Sequence, residues 1–177
     1  MRIQTERLLL RKPRLEDADD LLAYVGDPDV MRWIGGETGN RETTAATIER
    51  WLERWEADDI GHFSVICKEH GRVLGRVGFL VWDSRSWQTS SYAEAGERAE
   101  TELGWTLARE HWGQGYATEA AAALRAWANG ERGLERLISL ISPDNARSIR
   151  VAEKLGATPT ETVQVGGKPA VVWVHSR

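Results

Sequence analysis

The chain has 177 residues, of which 41% are hydrophobic and 28% are charged, and its formal net charge is -4. This composition is typical of a soluble globular protein and excludes a disordered chain, while the length suits a single domain over residues 1–177. The negative charge and the absence of a polybasic run argue against nucleic acid as the principal partner.

Cysteine and histidine usage gives no pattern for a disulfide framework or a metal site. Cys67 is the only cysteine, and it lies in an apolar stretch where a buried structural thiol is expected. The four histidines are scattered singly, so no metal ion is expected. Because the first residues lack a signal-peptide core and no apolar run approaches about 18 residues, we expect a cytoplasmic protein with no membrane partner.

The first third of the chain is predicted to form one strand and two helices. A strand is expected over 7–12, and apolar residues at helical spacing predict a helix over 15–25 that a following glycine and proline end. A second helix is expected to begin at an N-cap formed by Thr43 or Thr44. Its apolar face carries residues at helical spacing, namely Ile48, Trp51, Leu52 and Trp55.

The middle of the chain is predicted to form a hairpin and a polar connection. Strands over 62–68 and 72–82 are joined by a turn of three residues. The segment 83–101 is rich in polar residues, and we interpret it as a long loop or a strand extension over one end of the sheet.

The last part of the chain alternates strands and helices. We expect a strand over 102–108, a helix that ends at Gly130, a strand over 134–142, a helix over 145–155, and a closing hairpin within 163–174. A strand, helix and strand in succession require a right-handed crossover, so these two strands should be parallel. The sequence therefore predicts an α/β fold with a mixed, mostly antiparallel sheet, a parallel central pair and helices on both faces.

Two glycines between a strand and a helix indicate a phosphate site. Gly113 and Gly115 let the backbone approach a ligand closely, and the helix start leaves N–H groups without partners. A diphosphate suits this position. A dinucleotide-binding fingerprint is disfavoured because Thr118 stands where its third glycine belongs, and a Walker A lysine is absent.

The residues around this turn resemble a known family. ELGWTLAREHWGQGYATEA at 102–120 is similar to the acetyl-CoA motif of the GNAT superfamily, particularly its RimJ/RimL-like branch. TERLLLR at 5–11, NARS at 145–148 and EKLG at 153–156 also resemble that branch. Because separated segments agree in order and spacing, the resemblance covers almost the whole chain and implies the GNAT fold with acetyl-CoA as cosubstrate.

The resemblance also implies where acetyl-CoA binds. The pantetheine arm would pair with backbone groups of a strand and contact Asn145, while backbone amides of the turn would hold the pyrophosphate. Trp112 stands where the superfamily pattern has Gln or Arg, but backbone contacts should preserve binding. The strand residues are Thr106, Leu107 and Ala108, and the turn residues are Gly113, Gln114, Gly115, Tyr116, Ala117 and Thr118.

Two residues are candidates for the proton chemistry of acetyl transfer. In parts of the family a carboxylate at a place similar to that of Glu102 accepts the amine proton, and Ser148 resembles the residue that protonates the CoA thiolate in RimL-like enzymes. Each also has a structural interpretation: Glu102 as a solvated charge at the start of a strand, and Ser148 as a hydroxyl bonded within its own helix.

The acceptor is left open by the sequence. By the family's architecture, Trp33, Trp82 and Trp87 border the acceptor channel, although tryptophans more often pack in cores. The resemblance allows a peptide N-terminus, an aminoglycoside, a polyamine or an amino-acid-like metabolite as the amine. A non-catalytic acyl-CoA sensing module is the alternative function, and the chain is expected to be a monomer or a homodimer.

Overall fold

The computed structural model describes residues 1–175, within which nine strands form one mixed sheet in the order β1-β2-β3-β4-β6-β7-β9-β8, with β5 paired to β4. The strands are β1 (Arg2–Gln4), β2 (Leu8–Arg11), β3 (His62–Cys67), β4 (Val73–Asp83), β5 (Gln88–Ser90), β6 (Ala99–Leu107), β7 (Leu137–Ile141), β8 (Thr158–Val165) and β9 (Lys168–His175). The α-helices are α1 (Ala18–Val25), α2 (Pro28–Met31), α3 (Arg41–Asp58), α4 (Tyr92–Ala95), α5 (Tyr116–Glu131) and α6 (Ala146–Lys154).

The sheet is antiparallel except at one place. β6 and β7 are parallel, and their backbone ladder contains the single pair Glu102 and Ile138. α5 connects these two strands, as the crossover rule predicts. The mixed sheet with its parallel central pair is therefore confirmed.

Helices cover both faces of the sheet. On one face α5 contributes Leu124 and Trp127 to a core cluster with Phe63 of β3. On the other face α1 and α3 pack Leu21 and Ile48 into a second cluster. Side chains of β3 alternate between these clusters, as expected for a strand covered on both sides. The predicted buried state of Cys67 in this strand is also confirmed.

Several predicted boundaries are wrong. Strand β1 and the short helix α2 were not predicted; α2 follows directly after α1 because Asp27 caps it by accepting a hydrogen bond from the Asp29 N–H. Helix α3 is capped by Asn40 instead of Thr43 or Thr44, because Asn40 and Thr43 form a reciprocal capping box. The apolar face of α3 begins later than its cap, so periodicity placed the start too far along the chain.

The segment 83–101 is ordered secondary structure instead of a long loop. β4 turns back into β5, α4 follows, and β6 begins at Ala99, which agrees with the alternative of a strand extension. An ion pair of 2.8 Å between Arg98 and Asp83 joins the two ends of this segment. Glu102 therefore lies inside β6 instead of at its start.

The later boundaries also shift. α5 continues through Gly130 to Glu131, so the predicted stop at Gly130 is wrong. β8 and β9 are longer than the predicted hairpin. The prediction relied on apolar residues, and it missed the first part of β8 because most side chains of this strand are exposed and polar. Within the described part of the chain, no helix combines the length and the apolar character needed to cross a membrane.

Candidate active site

The glycine turn between β6 and α5 is held in a conformation that exposes backbone amides. Gly113 and Gly115 have φ of 76° and 82°, and Gly115 is the N-cap of α5 with no side chain capping the helix. The first-turn N–H groups of a helix have no intrahelical acceptors and sit at its positive end. The Arg7 side chain fixes the turn by donating to the Gln114 carbonyl (2.9 Å) and pairing with Glu119 (2.7 Å).

A cavity of about 560 Å³ extends from this turn to the end of β6. Most of the predicted cofactor residues line it, namely Thr106, Leu107, Gly113, Gly115, Tyr116, Ala117, Thr118 and Asn145. The other two, Ala108 and Gln114, are neighbours of these residues in sequence. The Ala108 N–H donates to the Leu74 carbonyl (2.9 Å), and the Gln114 side chain donates to the Glu110 carbonyl (2.9 Å).

The same cavity carries positive charge from one helix. Arg147, Arg150 and Lys154 of α6 line it, and its lining within residues 1–175 contains no carboxylate. The Arg147 guanidinium lies 4.5 Å from the ring centroid of Trp112, so it is positioned over the residue that departs from the superfamily pattern. The cavity therefore suits a polyanion such as a nucleotide diphosphate.

Arg109 and His111 contribute differently, although both precede the turn. Arg109 forms ion pairs of 2.8 Å with Asp27 and with Asp29, which tie it to α2. His111 lines the large cavity, and burial lowers the pKa of its imidazole. His111 is therefore mostly neutral at neutral pH.

A second, smaller cavity of about 70 Å³ adjoins the first. Glu102 lines the smaller cavity. Both cavities share five lining residues: Trp33, Ile34, Trp105, Asn145 and Ser148. The two compartments thus meet at the start of α6, where a group bound in one can contact a group bound in the other.

Glu102 is a carboxylate in a desolvated setting. Its Oε2 accepts a hydrogen bond of 2.7 Å from Trp82 Nε1. Burial raises the pKa of Glu102, while the Trp82 bond, the charge of Arg76 and the Leu140 N–H each oppose part of that rise. The net pKa is raised, which moves this carboxylate towards the range that suits a general base.

β6 and β7 separate directly after Glu102, and side chains bridge the gap. Ser139 Oγ donates to the Leu103 carbonyl (2.6 Å), and His175 Nε2 lies 2.8 Å from the same hydroxyl. Ser139 has one hydroxyl proton, which it donates to the Leu103 carbonyl, so the Ser139 oxygen accepts the second hydrogen bond from the His175 Nε2–H. The smaller cavity lies beside these separating strands.

Asn145 and Ser148 occupy the first turn of α6. Asn145 is the N-cap, and its Oδ1 accepts from the Ser148 N–H (3.2 Å). Both residues line both cavities, so one helix start brings them to the junction.

The three predicted substrate tryptophans occupy different places. Trp33 lines both cavities, and Trp82 orients Glu102. Trp87 has a φ of 52° and packs against a cluster at β7, β8 and β9 that includes Val172. Trp87 is not among the described residues that line either cavity.

Sequence reasoning missed Arg76, which lines the smaller cavity. A charged residue inside the otherwise apolar run of β4 is the signal that could have identified it. Within residues 1–175 no group of three or more His, Cys, Asp or Glu side chains could hold a metal ion.

Comparison with known proteins assigns the chain to a family. The profile of the family described as acetyltransferase (GNAT) domain matches residues 7–158. The "Uncharacterized N-acetyltransferase p20" of Bacillus licheniformis is 31% identical over 154 residues, which cover 86% of this chain and 80% of the relative.

Solved structures share the fold. An acetyltransferase from Agrobacterium tumefaciens str. C58 is 28% identical with a TM-score of 0.79, covering 100% of this chain and 95% of that one. The AAC(6')-Ib structure in complex with paromomycin and acetyl-CoA has a TM-score of 0.76 at 19% identity, covering 97% of this chain and 94% of that one, and it shows similarity of fold alone. The chain therefore belongs to the GNAT family of N-acetyltransferases.

Proposed function

We propose that the chain transfers an acetyl group from acetyl-CoA directly to a primary amine within a ternary complex. The observation that carries this proposal is the junction of the two cavities at Asn145 and Ser148, with Glu102 on the smaller side. Such a junction can place a thioester from one cavity beside an amine from the other.

In the proposed complex, acetyl-CoA occupies the larger cavity. The diphosphate lies at the glycine turn, where the α5 N-terminus and the α6 cations Arg147 and Arg150 favour negative charge. The pantetheine arm extends along the free edge at the end of β6 towards Asn145. The thioester then reaches the junction.

Glu102 acts as the base in this proposal. Its carboxylate takes a proton from the amine, directly or through water, and the amine nitrogen attacks the thioester carbonyl. A tetrahedral intermediate forms, the C–S bond breaks, and the acetyl group stays on nitrogen as an amide. The Ser148 hydroxyl gives a proton to the departing CoA thiolate and recovers one from solvent, while Glu102 loses its extra proton to solvent. The products are an N-acetyl amine and CoA, and both residues return to their starting states.

Thermal denaturation and thiol release test the proposal. Acetyl-CoA at 100 times its dissociation constant should stabilise the protein by about 2.7 kcal/mol, whereas NAD should not. Adding a suitable amine should then release CoA thiol in proportion to the amine consumed. Equal stabilisation by NAD would contradict the cofactor assignment, and CoA binding without any amine-dependent thiol release would indicate a sensing module.

Other features of the chain stay predictions from its sequence. These are membership of the RimJ/RimL-like branch, a single domain over residues 1–177, a cytoplasmic location, and a monomeric or homodimeric state. The charged residues that line the smaller cavity discriminate between the possible acceptor amines.

A further inference from the structure

Arg76 places a positive charge in the cavity that holds Glu102. It lies on β4 opposite Thr106 of β6, and its side chain lines the smaller cavity. Its Nη1 is 3.3 Å and 3.4 Å from the two ring nitrogens of His62, and its Cζ is 5.8 Å from the ring centroid of Trp51. The guanidinium is therefore held against aromatic side chains.

The groups in contact with Arg76 are uncharged. Burial, the Arg76 charge and the Arg54 charge, in that order, hold the pKa of His62 well below its ordinary value, so His62 is neutral at neutral pH. Burial raises the pKa of Tyr24 to about 12, although Arg76 opposes the rise, so this hydroxyl is neutral as well. Among residues 1–175, Arg76 forms no ion pair with a carboxylate.

The Arg76 charge also acts on the Glu102 carboxylate at longer range, and the two side chains lie on either side of the position that a Gly104 side chain would occupy. A methyl group at Gly104 would lie 3.6 Å from Glu102 Oε1 and 3.9 Å from Arg76 Nη1. A position that could hold a methyl group at Gly104 therefore lies between the proposed base and the guanidinium, in van der Waals contact with both. A small ligand there would have one group at the carboxylate and another at the guanidinium.

Resting on the proposed function, we infer that the acceptor is a small amine with a carboxylate close to its amino group, as in a free amino acid. The amino group faces Glu102, and the carboxylate forms with Arg76 the direct ion pair that no carboxylate within residues 1–175 forms. A guanidinium binds a carboxylate through paired, charge-assisted hydrogen bonds. A partly desolvated cation whose direct contacts are neutral, with Glu102 only at longer range, favours such a ligand over solvent.

The other acceptor classes fit this arrangement less well. Arg76 repels the additional positive charges of a polyamine or an aminoglycoside. A peptide N-terminus presents a neutral amide where the inferred acceptor has its carboxylate. The cavity of about 70 Å³ also suits a small molecule.

The test compares matched amines with the purified full-length protein. Acetyl-CoA is combined with the twenty common amino acids, their carboxamides and the corresponding amines without a carboxyl group, and also with spermidine, an aminoglycoside and a peptide. Rates are corrected for the fraction of unprotonated amine. We expect kcat/KM for the best amino acid to exceed that for its carboxamide by about 10- to 100-fold, the range of a charge-assisted hydrogen bond.

Variants then assign this preference to Arg76. Arg76→Gln should bring the ratio of amino acid to carboxamide close to one, whereas Arg76→Lys should keep part of it. Arg41→Gln is the matched control, because Arg41 is exposed and pairs with Asp19 on the surface. Gly104→Ala should raise KM for the amine without changing the Kd of acetyl-CoA, and it decides the test if Arg76→Gln does not fold.

The outcomes distinguish this inference from the function on which it rests. Equal or faster acetylation of carboxamides, spermidine, the aminoglycoside or the peptide would overturn the inference and leave amine acetylation standing. Turnover of other amines but of no carboxylated amine would also overturn the inference. If the ratio of kcat/KM for the amino acid to that for its carboxamide is unchanged in Arg76→Gln, the inference that Arg76 binds the acceptor carboxylate is wrong. Absence of acetyl transfer to any amine, with or without acetyl-CoA binding, would instead overturn the proposed function.

Discussion

Trp82 Nε1 donates a hydrogen bond of 2.7 Å to Glu102 Oε2 across neighbouring strands β4 and β6. The bond stabilises the charged carboxylate, whereas burial favours the protonated acid. Trp82 thus limits how far the pKa of Glu102 rises. Its contribution can be measured through the pH dependence of the reaction.

Trp82→Phe should raise the pKa of Glu102 further, because the ring remains but the N–H donor is lost. If the ionised carboxylate is the base, the acidic limb of the kcat/KM profile moves to higher pH, and the rate approaches that of the wild type at alkaline pH. Trp87→Phe is the control, since Trp87 lies away from both cavities. If the acidic limb of the kcat/KM profile does not shift in Trp82→Phe, then Glu102 is not the group whose titration governs the rate.

Glu102→Gln keeps the size of the side chain and removes its basicity. A positioned base contributes about 10² to 10⁴ in rate, so kcat should fall within that range. The stabilisation by acetyl-CoA should persist, because Glu102 lines only the smaller of the two cavities. Near wild-type rates with a wild-type pH profile would indicate that the amine loses its proton to solvent.

Ser148→Ala should lower kcat more than it weakens acetyl-CoA binding, because a proton supplied to the thiolate matters chiefly in the transition state. The α6 cap survives this change, since Asn145 accepts from the backbone N–H of residue 148. Steady-state kinetics and calorimetric titration with acetyl-CoA separate the two effects. Weaker binding with undiminished turnover would assign Ser148 to cofactor binding.

Gly115→Glu should abolish the thermal shift caused by acetyl-CoA, because it places an anion at the proposed diphosphate position. Gly71→Glu provides a matched control: Gly71 has a similar φ of 72°, against 82° at Gly115, but lies in the turn between β3 and β4. Both variants should lose stability by about 1 to 3 kcal/mol from backbone strain. Only the Gly71 variant should still respond to acetyl-CoA.

His175 should make stability depend on pH below neutrality. Burial lowers its pKa from 6.5 to about 4, so between these values the unfolded state binds the extra proton. The free energy of unfolding should therefore fall as pH decreases from 6.5 towards 4. His175→Gln should make this decline smaller in urea denaturation series, and His62 should account for part of what remains. An identical pH dependence in the variant would contradict this assignment.

Local patterns predicted the features that depend on neighbouring residues. The glycine turn, the crossover between parallel strands and the apolar faces of α1, α3 and α5 follow from spacing along the chain. Asn40 was missed as a cap because the apolar face of α3 starts well after it. Periodicity locates a helix more reliably than its first residue.

The chemical character of the site depends on contacts between distant segments. The burial of Glu102 and its bond to Trp82 arise only when β4 and β6 pair and β7 covers one side. The surroundings of Arg76 arise in the same way, from His62 on β3 and Trp51 on α3. Glu102 lies 20 residues from Trp82, and Arg76 lies 14 residues from His62, so composition and spacing could not identify these contacts.

The single ladder pair between β6 and β7 makes the sheet a structure of two leaves joined by a narrow seam. One leaf contains β1 to β6 and ends at the glycine turn, while the other contains β7 to β9 and supplies α6. A cofactor lying between the turn and α6 touches both leaves at once, so its binding energy also resists their separation. Bound cosubstrate would therefore stabilise the association of the two halves of the sheet, and release of CoA after each turnover would remove that stabilisation.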